Sequence, residues 1–398
     1  MGGRRTHARR RPACRNPRFD PSPPCGQNGR APPRRSRVRG AEGRSMGSDT
    51  RTRHVYAATA VETATAALVG AGAGASPARL QAEHLVEAEL RGHPSHGLRR
   101  IPTLAGRMRA GLLRADARPE ITWRADAALV VDGNLGFGPV VAYSAIDELL
   151  ERSMRTGVAV AALHRTHHLG MLAPYVERIG RAGCIGLVFS STEGLVHPWG
   201  GVGPLVGTNP IGAVVPSPAG DLILDMSTGA VSAGKILDFA ERGMPLPSGW
   251  AVDAHGASTI DADAATRGAI SPFGGPKGFA LGLTLGAIVG ALTGTAYGPE
   301  VRGTLDDTHE VSKGDVIAAI RIEAFGQPAG SPELAAYLDL IRASGRDGGR
   351  VFVPGDRSRE ARARTVQSGF DVIDDVWTAV TELAETADSA RAEAGHSA

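Results

Sequence analysis

The chain has 398 residues, 42% of them hydrophobic, 21% charged and only 5% aromatic, with 53 glycines and 26 prolines. That supply of apolar side chains can bury a large core, which excludes wholesale disorder and leaves room for two or three domains or one large α/β unit. The formal charge of +3 conceals an asymmetry: residues 1–45 hold thirteen Arg against Asp20 and Glu42, a net +11, so the remainder carries −8. A mildly acidic body is a poor surface for nucleic acid.

Residues 1–45 have almost no apolar clusters and no helical period, and they are expected to be disordered. One reading gives this segment electrostatic contact with nucleic acid or anionic lipid; the favoured one makes Met46 the true initiator. Scattered prolines argue against a transit helix, and Arg34-Arg35 is not followed by the apolar stretch of a secretory signal. Cys14 and Cys25 also fall here, leaving Cys184 alone in the body. An internal disulfide or a zinc framework is therefore not expected in the body, and a reducing, cytoplasmic setting is.

Along the body, residues 54–71 and 77–91 read as helices, with Pro77 suited to a first turn. Short apolar, β-branched runs at 128–132, 158–163, 185–190, 212–216 and 222–225 read as strands, with helices around 142–156 and 171–182 between them. The polar, turn-rich stretch 239–272 is expected to be a long surface excursion. Helices return at about 277–294, 332–344 and 370–386, giving a mixed α/β chain without repeats, closed by a flexible tail at 387–398. Gly70-Ala71-Gly72-Ala73-Gly74-Ala75 matches G-x-G-x-x-A, but a helical pattern precedes it where a dinucleotide fingerprint needs a strand. A helix–helix loop is the better reading. The uncharged run 278–299 is long enough to span a bilayer, yet Gly282, Gly286, Gly290 and Gly294 recur every four residues within it. A buried helix of a soluble domain, with glycines along one face, is expected instead.

Several clusters can carry chemistry. In Gly92-His93-Pro94-Ser95-His96-Gly97-Leu98-Arg99-Arg100, a helix starting near Ser95 puts His96 and Arg100 on one face. Arginine can grip a carboxylate bidentately while histidine hands a proton to a carbonyl oxygen, which suits reduction of a 2-oxo acid. The plainer alternative is a helix start capped by Ser95. His164, His167 and His168 follow an apolar strand; as a trio they have metal-ligand spacing, but no acidic or cysteine partner is near in sequence. A substrate-facing His168 or a structural histidine are the other readings. The loops His197-Pro198-Trp199-Gly200-Gly201 and Gly207-Thr208-Asn209-Pro210 are rich in N–H groups that can line a cofactor. Lys277, at the glycine-rich start of a helix, can meet an anionic group, although the sequence around it is no Walker A motif.

Taken in order, Arg91-Gly92-x-x-Ser95-His96-Gly97-x-x-Arg100, His168-x-Gly170, Pro198-Trp199-Gly200-Gly201, Gly207-Thr208-Asn209-Pro210, Asp225-Met226-Ser227, Gly275-x-Lys277-Gly278 and Val353-Pro354-Gly355 resemble the malate/L-lactate dehydrogenase family that lacks a Rossmann domain. Its members include ureidoglycolate, sulfolactate and Δ1-piperideine-2-carboxylate enzymes and 2,3-diketo-L-gulonate reductase. The resemblance covers roughly residues 55 to 385 and implies a mixed α/β fold. Its NAD(P)-binding domain would be a mainly antiparallel sheet at 126–276. A helical substrate and dimerisation domain would be built from 54–125 and 277–386. It also implies NAD or NADP as cofactor, a small carboxylate substrate, a homodimer, and neither metal, nucleic-acid nor membrane partners. Carried over by position, His96 is the proton donor and acceptor with Ser95 beside it, Arg100 holds the substrate carboxylate, and His168 is a second active-site histidine. Thr192, Asp225, Met226, Ser227, Thr228, Lys277, Pro354, Gly355 and Asp356 match cofactor-contacting segments, with Thr208 and Asn209 lining the same cleft. Arg165-Thr166-His167, Pro276 and Asp356 depart from the family's usual residues, and the first of these bears on the identity of the substrate.

Overall fold

The computed structural model describes residues 51–395, with side chains described to residue 386, so the expectations for residues 1–45 and 387–398 lie wholly or largely outside it. The chain runs through β1 (Thr52–Val55), α1 (Ala57–Gly70) and α2 (Ala75–Leu90) into two single-turn 3₁₀ helices, Pro94–His96 and Leu98–Arg100, and then α3 (Ile101–Arg109). Next come β2 (Glu120–Ala125), β3 (Ala128–Gly136), α4 (Gly138–Thr156), β4 (Val158–Thr166), α5 (Ala173–Arg181) and β5 (Cys184–Ser190). Short strands β6 (Gly194–Val196) and β7 (Val206–Gly207) precede β8 (Ile211–Val215), β9 (Leu222–Met226) and α6 (Ala233–Glu241). Strands β10 (Ala251–Val252) and β11 (Ser258–Thr259), helix α7 (Ala262–Thr266) and β12 (Ala269–Ile270) lead to α8 (Pro276–Thr293). The last elements are β13 (Gly314–Arg321), α9 (Pro332–Ala343), α10 (Asp356–Ser368), β14 (Phe370–Ile373) and α11 (Asp374–Gly395).

A seven-stranded sheet in the order β2-β3-β4-β13-β5-β8-β9 is antiparallel at every pairing except β3–β4, as expected of a mainly antiparallel sheet. Its core lies against α4 and α5, where Val141, Ala142, Ala145, Ile146 and Leu149 form the inward stripe of α4. Gly157 ends α4 in the left-handed conformation, at φ +75°, that glycine tolerates best. A second core joins α1, α2 and α3 to α11 through Leu68, Leu85, Leu98, Ile101 and Trp377.

Three expectations are corrected, and two elements are added. The segment 239–272 is no simple excursion: β10, β11 and β12 join β6 and β7 in a five-stranded sheet with buried Leu246, Ala251, Ala265 and Ile270. Polar surface residues there mask short apolar anchors. Residues 52–55 and 370–373 are strands, β1 and β14, paired antiparallel across most of the chain. Strand β13 stands in the middle of the large sheet and helix α10 follows Gly355, neither anticipated. Finally, α8 is not buried all round. Cβ atoms on Gly282 and Gly286 would meet Thr228 Oγ1 at 2.5 Å and Asn209 Nδ2 at 2.6 Å, so the glycine row does bring the helix against the loops. Its opposite face leaves Leu283 and Leu292 about half exposed. Among the described residues it is the one helix long and apolar enough to cross a membrane. The Gly70–Ala75 stretch is the α1–α2 loop and the start of α2, as expected.

Candidate active site

The first group of predicted residues does come together, though not on one helix. Gly97 breaks the segment into two 3₁₀ turns, so the expected four-residue spacing on a single helix is not what joins His96 to Arg100. Instead Arg100 folds back and its Nε donates to the Ser95 carbonyl at 3.0 Å. Ser95 is no helix cap either: its hydroxyl stands 3.0 Å from His96 Nδ1. The His96 and His168 rings stack with centroids 5.5 Å apart and planes 16° off parallel. The Gly170 N–H donates to His168 Nδ1 at 3.1 Å, which places the proton of the neutral ring on Nε2. Burial, with Arg100 beside it, lowers the His96 pKa to about 4; burial and Arg100 push His168 well below the usual histidine value too. Both rings are therefore neutral at pH 7. His96 Nε2 and both terminal amino groups of Arg100 have no partner among the described residues. A proton acceptor and a carboxylate fork are thus left unused in one corner.

The histidine trio does not gather around a point. His167 is buried with Nε2 on the Leu112 carbonyl at 2.9 Å, while His164 sits on β4 opposite Gly314. Among the described residues no three His, Cys, Asp or Glu side chains are grouped to hold a metal.

Thr192, Thr208, Asn209 and Thr228 form a second, interlocked group under the glycine face of α8. Thr208 N–H donates to Thr192 Oγ1 at 2.8 Å, Thr192 N–H to Asn209 Oδ1 at 3.1 Å, Asn209 Nδ2 to the Gly282 carbonyl at 2.9 Å, and Thr228 Oγ1 to the Thr208 carbonyl at 2.9 Å. Their polar atoms are largely committed to one another, so this group builds a wall. Met226 pairs with Ile211 at the end of β9, and the Ser227 side chain has no hydrogen-bond partner among the described residues. Lys277, exposed in the first turn of α8, likewise has no ion pair there.

Asp225 and Gly355 share a cavity of about 60 Å³ with Arg91, His93, Met171, Ala173, Ile223 and Ser358. Oδ2 of Asp225 caps the start of α5, accepting from Leu172 N and Ala173 N at 2.8 Å each. Pro354 ties this edge to β9, its carbonyl accepting from Ile223 N at 3.2 Å. The Ser358 hydroxyl is buried beside the cavity without a partner, an orphan that a bound polar group would satisfy. That hydroxyl, the uncommitted Ser227 and the free Lys277 fit a phosphate- and hydroxyl-rich dinucleotide. Asp356 fits it less well: its carboxylate is taken by Arg342 at 3.0 Å and Arg359 at 2.6 Å and accepts the Val353 N–H at 3.1 Å, which holds its pKa down to about 2.

Two residues went unread in the sequence. Glu193, beside Thr192, grips Thr304 through its N–H at 2.7 Å and its hydroxyl, and adds a negative field at Arg100. Glu89 lies under the His96 turn and accepts the Leu98 N–H at 2.9 Å. Both are charged residues whose partners are far off in sequence or across a turn, and no local pattern marks them.

Residues 55–381 match the family model described as malate/L-lactate dehydrogenase. The malate/(S)-sulfolactate dehydrogenase of Methanothermus fervidus is 33% identical over 320 residues, covering 79% of this chain and 92% of that protein. A Δ1-pyrroline-2-carboxylate/Δ1-piperideine-2-carboxylate reductase of Pseudomonas aeruginosa is 33% identical over 294 residues, 73% of this chain and 87% of that one. The crystal structure of a dehydrogenase from Sinorhizobium meliloti superposes with a TM-score of 0.80 at 43% identity, covering 84% of this chain and 99% of that one. With the motif order, the antiparallel sheet and these matches in agreement, the chain belongs to the malate/L-lactate dehydrogenase family.

Proposed function

We propose that this oxidoreductase interconverts a small 2-hydroxy acid and its 2-oxo acid, malate- or lactate-like, with NAD or NADP. The observation that carries the reading is the corner where neutral His96, stacked on His168, stands beside an Arg100 whose terminal amino groups are free. A bound nicotinamide would supply the hydride acceptor and donor for the substrate C2. This chain's residues supply the remainder. Arg100 grips the substrate carboxylate with its two terminal nitrogens and thereby fixes the direction of C2. Ser95 holds His96 Nδ1, leaving Nε2 to accept the hydroxyl proton during oxidation. In the reverse direction His96 first takes a proton from solvent and then gives it to the carbonyl oxygen. His168 presents Nε2–H as a second donor. No metal enters these steps.

Around this corner, the Asp225–Gly355 cavity with Ser358, together with Ser227 and Lys277, would hold the dinucleotide, with the Thr192–Thr208–Asn209–Thr228 group as its wall. The seven-stranded sheet then serves as the cofactor domain, and the layer of α1, α2, α3 and α11 as the substrate domain. The exposed apolar face of α8, with Leu281, Leu283, Ile288 and Leu292, supports pairing with a second copy. We assign the enzyme to the cytoplasm. A second reading, reduction of a cyclic imino acid on the same residues, is favoured by the 33% identity to the Pseudomonas aeruginosa reductase. An imine already protonated needs His96 only for orientation.

The test follows absorbance at 340 nm with NADH or NADPH against a panel of 2-oxo acids and cyclic imino acids. Oxidation by 2-oxo acids is expected. Oxidation by imino acids alone would install the second reading, and flat traces from folded protein would remove both.

A further inference from the structure

Helix α2 buries three polar side chains, Gln81, His84 and Glu89, and the last two each lie beneath a glycine close to one of the two active-site histidines. His84 stands 2.9 Å from where a Cβ on Gly170 would be, and its ring stacks on Tyr175, whose hydroxyl donates to the Leu169 carbonyl at 2.6 Å. Glu89 does the same under the His96 turn, more directly. Glu89 as a whole is 7% exposed, its Oε1 accepts the Leu98 N–H at 2.9 Å, and a Cβ on Gly97 would come within 2.5 Å of its carboxyl carbon. Gly97 is the residue at which the two 3₁₀ turns part. The carboxylate therefore occupies the hollow that the missing side chain leaves, and it satisfies the N–H that opens the second turn. Burial lifts its pKa to about 7, while the Leu98 N–H and the charge of Arg99 draw it back down.

We propose that Glu89 is the positioning residue of this turn: by accepting the Leu98 N–H and filling the space under Gly97 it fixes the break between the turns, and with it the direction in which His96 presents Nε2. This rests on His96 as the proton-transfer residue. Glu89 acts through the backbone and does not touch the reacting atoms.

The experiment compares Glu89→Gln, which keeps an acceptor of the same shape, with Glu89→Ala, which removes it. Displacing a reacting group by a fraction of an ångström to an ångström lowers rates by up to about 100-fold. Glu89→Ala is therefore expected to reduce kcat about 10- to 100-fold, with KM and cofactor binding by nucleotide fluorescence little changed. Glu89→Gln should restore kcat to within about threefold of the parent. Gly97→Ala, which drives a Cβ into the carboxylate, should reproduce Glu89→Ala, and the double variant should be no worse than either single one. A readout independent of turnover is the His96 Cε1–H resonance at pH 7, assigned by its loss in His96→Gln. It should move in Glu89→Ala and stay in place in Glu89→Gln. An unmoved resonance with parental kcat in Glu89→Ala overturns the proposal, as does equal impairment of the two Glu89 variants. Because the resonance needs no substrate, a chain inactive across the whole panel would defeat the functional reading and still leave Glu89 decided.

Discussion

At the Ser95–Arg100 turn the side chains of His96, His168 and Arg100 lie together, none of them hydrogen-bonded to a carboxylate, whereas at the start of α10 a single carboxylate, Asp356, is ringed by Arg342, Arg359 and, at 3.7 Å, Arg350. In the first corner the Arg100 fork and His96 Nε2 keep their hydrogen-bonding capacity. In the second, the carboxylate oxygens are used by guanidinium groups and by the Val353 N–H. Capacity left open near a cavity is available to a ligand, while capacity already used holds a chain segment in place. Both corners match family motif positions in the sequence, and only their partners tell them apart.

Replacing His96 by alanine tests the open corner and should have the largest effect. General acid–base catalysis contributes about 10²- to 10⁴-fold, so kcat is expected to fall by about a thousandfold. The ring bonds only to Ser95 and is partly exposed, so the melting temperature should hardly move. Parental rates in this variant would end the assignment of His96.

Asp356→Asn tests the closed corner. It leaves three arginines facing a neutral amide, and breaking a buried pair costs about 3–5 kcal/mol; with Arg350 and Arg359 partly in water, about 2 kcal/mol is expected here, read by urea denaturation. The sign with pH follows from a carboxyl pKa of about 2 in the fold against 3.8 unperturbed. The pairing stabilises fully above pH 3.8, and that contribution is lost as the pH falls towards 2, where parent and variant converge. Cofactor affinity should be unchanged. Unchanged stability with lost cofactor binding would instead make Asp356 the ribose contact that the family resemblance implies, and the contrast between the corners would fail.

How far the sequence shows these differences depends on the range of the interactions involved. The large sheet is mostly legible because β3, β4, β5, β8 and β9 are compact apolar runs bounded by turns, and the glycine row of α8 announces a close approach that Thr228 and Asn209 do complete. β1 and β14 escape because each is four residues long and its partner lies over three hundred positions away. The small sheet escapes because two-residue strands have no period to detect. In the site, Ser95, His96, Arg100 and His168 are legible as residue types, but the fold-back of Arg100 onto Ser95 is tertiary detail within a turn. Asp356 shows the opposite case: its motif position is visible, and its capture by Arg342, fourteen residues upstream, is not.

The smallest expected effect is a displaced pH limb at the open corner. Histidine accepts a proton only when neutral, so with an ordinary pKa of 6.5 the oxidation rate would halve at that pH. Burial, with Arg100 beside it, lowers His96 to about 4, so kcat/KM for the 2-hydroxy acid should stay level from pH 7 to about 5 and fall only below that. Once a substrate carboxylate sits on Arg100, the positive field that helped depress His96 is compensated. The limb in kcat should therefore lie at higher pH than the limb in kcat/KM. A kcat/KM limb near 6.5 would mean that neither burial nor Arg100 depresses His96, and the partly enclosed, uncommitted corner that is set against the Asp356 cluster would have to be given up.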